Sequence, residues 1–341
     1  MLRKVSRAEG NLGCVFQRLP SDDRADRATN PTLSDEERKR LLSFVVVGGG
    51  PTSCEFTTEL HDFLSQDVGR WYPDLAKDIK VTLVEAGPNI LGTFDKALVQ
   101  YYDAGLKKRG INVLTSTAVT RVEEQGESDV DPHHTTSAHL ADGTELPFGM
   151  MVWSAGLAPV KFTVGADDLP KGPGGRIEID EYLRVPGLKG RVFALGDCAG
   201  TLPPLASVAE QQGRYISDCF NEHYKHFDPS SAEELPLPGE VAASVGLPFP
   251  RRLYPRSASF SYLSVGGMAS MGVWGGVVDT TNMAVVPGAV KQVTPRAVSG
   301  FAAMLTWKFG YLSKQISWTN MILVPMFWFK SAVFGRDISR F

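Results

Sequence analysis

The residues best suited to chemistry lie in Phe44-Val45-Val46-Val47-Gly48-Gly49-Gly50-Pro51-Thr52-Ser53-Cys54-Glu55, where an apolar run meets a glycine turn and a helical pattern begins. In a dinucleotide-binding turn the first glycine permits the tight bend and the second lets the backbone approach a pyrophosphate. The third position, here Ser53 in place of glycine, needs a small residue for close packing of helix on strand. Gly48 and Gly50 supply the first two. The pyrophosphate sits at the helix N-terminus, held by free N–H groups and the helix dipole. Glu85, at the end of the next apolar run, can accept both ribose hydroxyls and repels the extra phosphate of NADPH, so NADH is the expected nucleotide. The interval from Gly48 to Glu85 exceeds the usual ~20 residues, and an insert from Ser65 to Lys80 absorbs the excess. The plainer reading is a tight turn in an α/β sheet.

A second apolar run, Val192 to Leu195, ends in Gly196-Asp197-Cys198. A carboxylate at the end of a buried strand can hold a flavin's ribityl hydroxyl. The helix that follows carries Glu210, Gln211 and Gln212 among the small residues Ala206, Ser207, Ala209 and Gly213, which lets a flat ring approach. An ordinary amphipathic helix would read the same way. Together the two runs suggest a flavoprotein that binds two nucleotides. The four cysteines show neither C-x-x-C nor zinc spacing, so no disulfide framework, metal site or redox thiol pair is expected, and a reducing compartment fits. His133-His134 lies in a polar stretch and reads as a solvated pair. No EF-hand pattern occurs.

The elements that position these residues read as α/β. The 341 residues, 43% hydrophobic and 21% charged, suffice for two domains with a substantial core. Ser34 and Glu37 have capping-box spacing ahead of a helix ending near Leu42. Then come strand Phe44 to Val47, helix Ser53 to about Leu64 and strand Val81 to Glu85, a βαβ unit. Asp95 to Gly110 reads as helix, Ile111 to Val122 as extended, and Glu123 to Ser137 as a polar loop. Asp142-Gly143 sits between short extended runs as a hairpin turn. Ile177 to Val185 and Val192 to Asp197 read as strands, Leu205 to Tyr224 as helix, and Phe260 to Val278 as β-like. The domains expected are 1–43 as connector, 44–150 as the NADH-binding Rossmann domain, 151–285 as part of an FAD-binding domain, and 286–341 as C-terminal helices.

From Thr280 onward seven Lys or Arg face one acid, Asp337, although the whole chain carries a net charge of −3. Phe301, Leu305, Phe309 and Leu312 recur at spacings of three and four, with Trp307, Tyr311 and Trp318 nearby and Lys308 and Lys314 able to snorkel. That composition suits a helix in a membrane interface, with a core or dimer helix as the alternative. Met321 to Phe329, interrupted by Pro325, falls short of the roughly 18 apolar residues a spanning helix needs. Arg3, Lys4 and Arg7 are soon followed by Glu9, Asp22, Asp23 and Asp26, and no targeting peptide is read there. The aromatic-rich basic tail suits lipid rather than nucleic acid.

With these motifs in hand, the chain resembles the type II, or alternative, NADH:ubiquinone oxidoreductases, single-subunit flavoproteins of the mitochondrial inner membrane. The likeness rests on Glu36–Leu42 running into Phe44–Glu55, on Trp153-Ser154-Ala155-Gly156, Phe193–Cys198, Leu205–Gly213 and Gly266–Gly272, and on the ending from Tyr311 to Arg340. It implies a two-dinucleotide-binding, disulfide-reductase-like fold with NAD and FAD as cofactors and C-terminal membrane-associating helices. It also implies non-proton-pumping hydride transfer from NADH through flavin to ubiquinone. Gly48, Gly50, Ser53, Glu85, Gly156, Gly196, Asp197, Ala206 and Val208 would then be cofactor contacts. Glu55 would lie near the nicotinamide and flavin in a proton-relay position, and Gln211 and Gln212 would line a quinone pocket, while Ser207 stands where the family usually has glutamine. The family opens with its own glycine-turn βαβ unit for the ADP half of FAD. None precedes residue 44, so an N-terminally shortened chain is expected. The resemblance further implies peripheral attachment to the inner membrane and a possible homodimer. The alternative is a non-catalytic membrane-surface protein that retains NADH binding.

Overall fold

A run of four apolar residues can form a strand only if both faces of its sheet are covered, and Phe44 to Val47 is such a strand. The computed structural model describes residues 15–16, 27–125, 135–223, 234–235, 259–264, 266–281, 297–315 and 317–336. Contacts divide the chain into one unit of residues 1–156, 266–281 and 294–341 and another of residues 157–265 and 282–293. The first unit begins with β1 (Val15–Phe16), α1 (Asp35–Leu41), β2 (Ser43–Val47), α2 (Pro51–Phe63), β3 (Lys80–Val84), α3 (Lys96–Lys108) and β4 (Asn112–Leu114). An antiparallel meander follows, β5 (Val119–Gln125), β6 (Thr135–Leu140) and β7 (Glu145–Pro147), and then β8 (Met150–Trp153). The main sheet has the order β1-β8-β2-β3-β4, with β8, β2, β3 and β4 parallel and β1 antiparallel at the edge. Phe44, Val46, Leu83, Met150 and Val152 pack under the helices, while Val45, Val47, Val84 and Met151 pack on Ala138, Leu140 and Phe148.

Local chemistry explains the helix starts. Ser34 Oγ accepts the Glu37 N–H at 3.2 Å, and Asp95 caps α3 by accepting from the Ala97 N–H at 2.8 Å. The Glu37 carboxylate turns to Arg40 instead of completing a capping box, and Arg40 in turn donates to Thr136 Oγ1 and the Phe148 carbonyl. Helix α2 begins at Gly50-Pro51 with proline in the first turn. It runs on through a π-helical turn, Leu64–Val68, to Trp71, so half of the expected polar insert is helical. The polar loop expected at Glu123 to Ser137 is strand at both ends, because β5 and β6 carry their pairing past it.

In the second unit α4 (Lys161–Gly165) and α5 (Ala206–Asp218) are helical. The strands expected at Ile177 to Val185 and Val192 to Asp197 do not form. They make only the isolated bridges Lys171–Ile177, Ile177–Ala199 and Arg184–Phe193. Leu183, Gly187, Lys189 and Gly190 all adopt positive φ, which breaks the extended backbone a ladder requires. Ile177, Ile179, Leu183, Val185, Ala194 and Ala199 still form a small buried cluster.

The chain then rejoins the first unit as β9 (Gly267–Ser270), β10 (Gly276–Asp279) and β11 (Ala297–Ser299), an antiparallel sheet of order β11-β10-β9, followed by α6 (Phe301–Ser313) and α7 (Trp318–Phe334). The contact boundaries therefore fall at Gly156 and Gly266, not at 150 and 285, because β8 completes the main sheet and the β9–β10 hairpin packs on α2 and α3. Asp62 of α2 accepts the Val273 N–H at 3.2 Å, and Arg109 donates to the Met271 carbonyl at 3.0 Å. Asp279 of β10 accepts the Asp95 N–H at 2.7 Å. Burial alone would raise the Asp62 carboxyl, but the hydrogen bonds from His61 and Val273 and the Arg109 charge outweigh it and hold Asp62 below its ordinary value. Its stabilisation is therefore present above the ordinary carboxylate range and lost as pH falls through the lower folded value. Asp62→Asn is expected to cost about 1–3 kcal/mol at neutral pH and to flatten the acid limb of a stability–pH curve measured by urea unfolding.

Candidate functional site

The glycine turn joins β2 to α2 within the first unit. Gly48 has φ +118°, and a Cβ there would lie 2.7 Å from Ser53 Oγ and 3.1 Å from Ala155 Cβ, so only glycine fits. Ser53 is fully buried and its hydroxyl shares a 2.7 Å hydrogen bond with Ser154 Oγ. The small third residue thus packs α2 onto the end of β8 and is no open contact surface. A Cβ at Gly49 would lie 2.6 Å from Glu85 Oε2 and 2.7 Å from its Cγ, so any larger residue there would have to displace that side chain; only the approach of Glu85 across the sheet reveals it. Gly50 differs, since a Cβ there would meet nothing within 4 Å. Gly50 is the N-cap residue of α2 and offers no side-chain cap, and the exposed Pro51 and Thr52 follow it, so the start of the helix is open. Glu85 Oε1 accepts the Gly87 N–H at 2.5 Å, which fixes the carboxylate beside the turn. Gly156, at the end of β8, has φ +77° and is likewise open.

Glu55 lies one turn into α2. Its Oε1 accepts the Ser270 N–H from β9 at 2.8 Å. Burial raises its carboxyl, opposed by the Ser270 amide and by the side chains of Trp307 and Ser270, while nearby Glu59 raises it further. The net direction is up. Residue spacing gives no sign of Ser270 and Trp307 as neighbours, because they lie more than 200 positions away.

The second unit holds the other expected residues. Gly196 has φ +71°, and its N–H donates at 2.7 Å to Oε1 of the buried Gln212. Gln211 makes two 2.9 Å bonds to Leu263, accepting its N–H and donating to its carbonyl. Both glutamines brace backbone, which differs from the ligand-lining role the resemblance implies. Asp197 is exposed, with its carbonyl taking Arg176 Nε at 3.0 Å. Helix α5 starts without a side-chain cap at Leu205, with Ala206 exposed and Val208 buried. Ser207 Oγ pairs with Tyr262 Oη at 3.0 Å, a contact that no motif indicated. Among the described residues Cys54, Cys198 and Cys219 form no disulfide, and no cluster of His, Cys, Asp and Glu could hold a metal. His133-His134 lies outside the described residues.

This strand–turn–helix arrangement has relatives. Residues 5–213 match the family model described as pyridine nucleotide-disulphide oxidoreductase. The chain belongs to the pyridine nucleotide-disulphide oxidoreductase family. Within that family, residues 265–337 match the NDH2 C-terminal domain, in keeping with the likeness to type II NADH:ubiquinone oxidoreductases expected from the motifs. The internal alternative NAD(P)H-ubiquinone oxidoreductase A1, mitochondrial, of Arabidopsis thaliana is 38% identical over 320 residues, covering 91% of this chain and 55% of that protein. The external NADH-ubiquinone oxidoreductase 2, mitochondrial, of Saccharomyces cerevisiae is 32% identical, covering 92% and 55%. The chain thus spans about half the length of these relatives. The solved structure of NDH2 from Plasmodium falciparum in complex with NADH shares the fold, with a TM-score of 0.70 at 21% identity over 93% of this chain and 71% of that one. Within the pyridine nucleotide-disulphide oxidoreductase fold, Gln211 acts as a strap. Gln211→Leu is expected to cost about 2 kcal/mol, read as a lower melting temperature, and to speed proteolysis within residues 259–264.

Proposed function

We propose that this chain serves FAD-dependent oxidation of NADH coupled to reduction of ubiquinone, without proton pumping, at the surface of the mitochondrial inner membrane. The observation that carries the reading is the open N-terminus of α2 at Gly50 beside the Glu85 carboxylate. An uncapped helix start suits a pyrophosphate, and the carboxylate suits ribose hydroxyls while repelling a 2′-phosphate. For FAD, the exposed Asp197 and the uncapped start of α5 at Ala206 supply an acceptor and donors that fit ribityl and ring atoms. Within the second unit Gly196 carries the positive φ that the turn needs, and Val208 is buried on the same helix start; Gly156 is an open position of the first unit.

When bound, the flavin supplies a two-electron acceptor for the nicotinamide hydride and a donor to the quinone. The balance is NADH, quinone and one proton giving NAD+ and quinol. The chain's own residues bind and orient. Gly48 and Ser53 set the turn, Gly50 admits the pyrophosphate and Glu85 selects NADH. Because Oε1 of Glu55 accepts the Ser270 N–H, a proton held by that carboxyl sits on Oε2, and burial favours keeping it.

The C-terminal helices support the membrane reading. Phe309 is 75% and Trp318 79% exposed on helices rich in apolar side chains, and residues 301–336 hold lysines and one arginine but no acid. Such a face is far larger than scattered surface apolar residues require. No helix among the described residues is long and apolar enough to cross a membrane. A pair of these faces could also join two copies. A second reading, NADH binding without turnover, is favoured by one observation, the commitment of Gln211 and Gln212 to backbone.

The deciding experiment is a visible spectrum of the purified chain in detergent while NADH and then a quinone are added. Flavin bands that bleach and return support the enzyme reading, and a colourless protein that binds NADH supports the second. Gly50→Ala is expected to keep stability within ~0.5 kcal/mol while weakening NADH binding at least about tenfold. Gly48→Ala should instead cost more than ~2 kcal/mol; fluorescence titration with paired melts separates the two. Phe309→Asp with Phe327→Asp should abolish flotation with liposomes.

A further inference from the structure

Strand β9 is the outer strand of its sheet, and an outer strand carries backbone groups that the ladder leaves unpaired. At Ser270, 6% exposed, those groups meet two side chains of the first unit. The N–H donates to Glu55 Oε1 at 2.8 Å, and the carbonyl accepts the phenol of Tyr102 at 2.6 Å. Tyr102 is fully buried on α3 and Glu55 lies on α2, so a single residue of β9 is gripped from two helices. Tyr102 is costly to bury with its hydroxyl, and that hydroxyl donates to the Ser270 carbonyl with the Thr58 side chain as its other partner. A phenylalanine would fill the same space at lower desolvation cost if packing were the whole purpose.

We propose that Tyr102 is a positioning residue for Glu55, acting through Ser270: its phenol fixes the edge of β9 where the Ser270 N–H meets the Glu55 carboxylate. The proposal deepens the proposed function and rests on that reading for the role of Glu55 beside the nicotinamide. Its geometry is independent of any bound group. Around Glu55 stand Cys54 and Glu59 on α2, Tyr102 on α3, Ser270 on β9 and Trp307 on α6. With burial unchanged, a slackened amide bond leaves the charged carboxylate less favoured.

The test titrates the Glu55 carboxyl carbon by NMR in protein labelled with 13C-glutamate, its signal assigned with Glu55→Gln. In Tyr102→Phe the midpoint is expected to rise by roughly half to one pH unit, while Tyr101→Phe, altered at a half-exposed neighbour, leaves it in place. A folded Tyr102→Phe protein with an unmoved midpoint, even one that melts earlier, would show a merely structural tyrosine and overturn the proposal. If Tyr102→Phe does not fold, 3-fluorotyrosine at position 102 keeps the shape and strengthens the donor. The midpoint should then fall, and no movement overturns the proposal equally. NADH binding by the wild-type chain, followed by fluorescence in parallel, reports on the functional reading separately. Its absence would remove that reading without altering the NMR result.

Discussion

The C-terminal segment is tied to helix α2 by one repeated interaction, an acid side chain accepting a distant backbone N–H. Glu55 takes Ser270, Asp62 takes Val273 and Asp67 takes Arg336, all from α2 or its π-helical continuation. Glu55, Glu59 and Asp62 fall at i, i+4 and i+7, so one face of α2 presents them together, and Glu59 joins by pairing with the Arg336 guanidinium at 3.0 Å. Asp279 returns the interaction from the other side, taking the N–H of the α3 cap. Bonds of this charge-assisted kind are each worth about 1.5–3 kcal/mol. They read backbone and not side chains, so they set the position of the hairpin with little demand on its sequence. Gly272 is the exception. A Cβ there would lie 2.1 Å from Asp62 Oδ2, and its φ is +69°.

The same device places Glu55 under opposing demands. Burial makes its charge costly and the Ser270 amide makes it favourable; burial wins, and the carboxyl rises. For an acid whose folded value is raised, the folded state binds the proton more tightly. Stability from this group therefore falls as pH rises from the ordinary carboxylate value through the folded one. Asp62 and Asp279 are held low, so each adds stability above the ordinary range that is lost on acidification. Two acids thus offset a third whose protonated form the fold favours; on the proposed reading this is where a functional site departs from the most stable choice.

Much of this was legible in the residue order. The apolar run before Gly48, the cap at Ser34, the helix from Asp95, the Asp142-Gly143 hairpin and the apolar C-terminal helices all follow from periodicity and turn chemistry acting within a dozen residues. What was hidden depends on long-range approach. Gly49 looks optional until Glu85 is seen pressing on it from the neighbouring strand, and nothing in the residue order shows that Leu263 engages both ends of the Gln211 amide. Val192 to Leu195 has the composition of a buried strand. Composition does not provide a neighbour, and positive φ at Leu183 and Lys189 confines the pairing to single bridges.

The acid-to-backbone clamps also explain how the apolar helices can be held outward. Helix α6 buries only Ala303 and Met304 among its described side chains, and α7 buries none, so packing alone gives them little purchase. Their orientation comes from their ends: β11, paired to the hairpin clamped at Ser270 and Val273, leads into α6, and Arg336, just past α7, is fixed to Asp67 and Glu59. Between those points Trp307 stacks on Tyr311 at 5.6 Å, Tyr311 meets Trp328, and Lys308 lies 5.0 Å from the Trp328 ring. Aromatic rings beside snorkelling cations are suited to the boundary between headgroups and acyl chains. On the proposed reading, then, polar clamps on α2 do the work that a hydrophobic interface would otherwise do, and they leave the apolar side chains free for lipid.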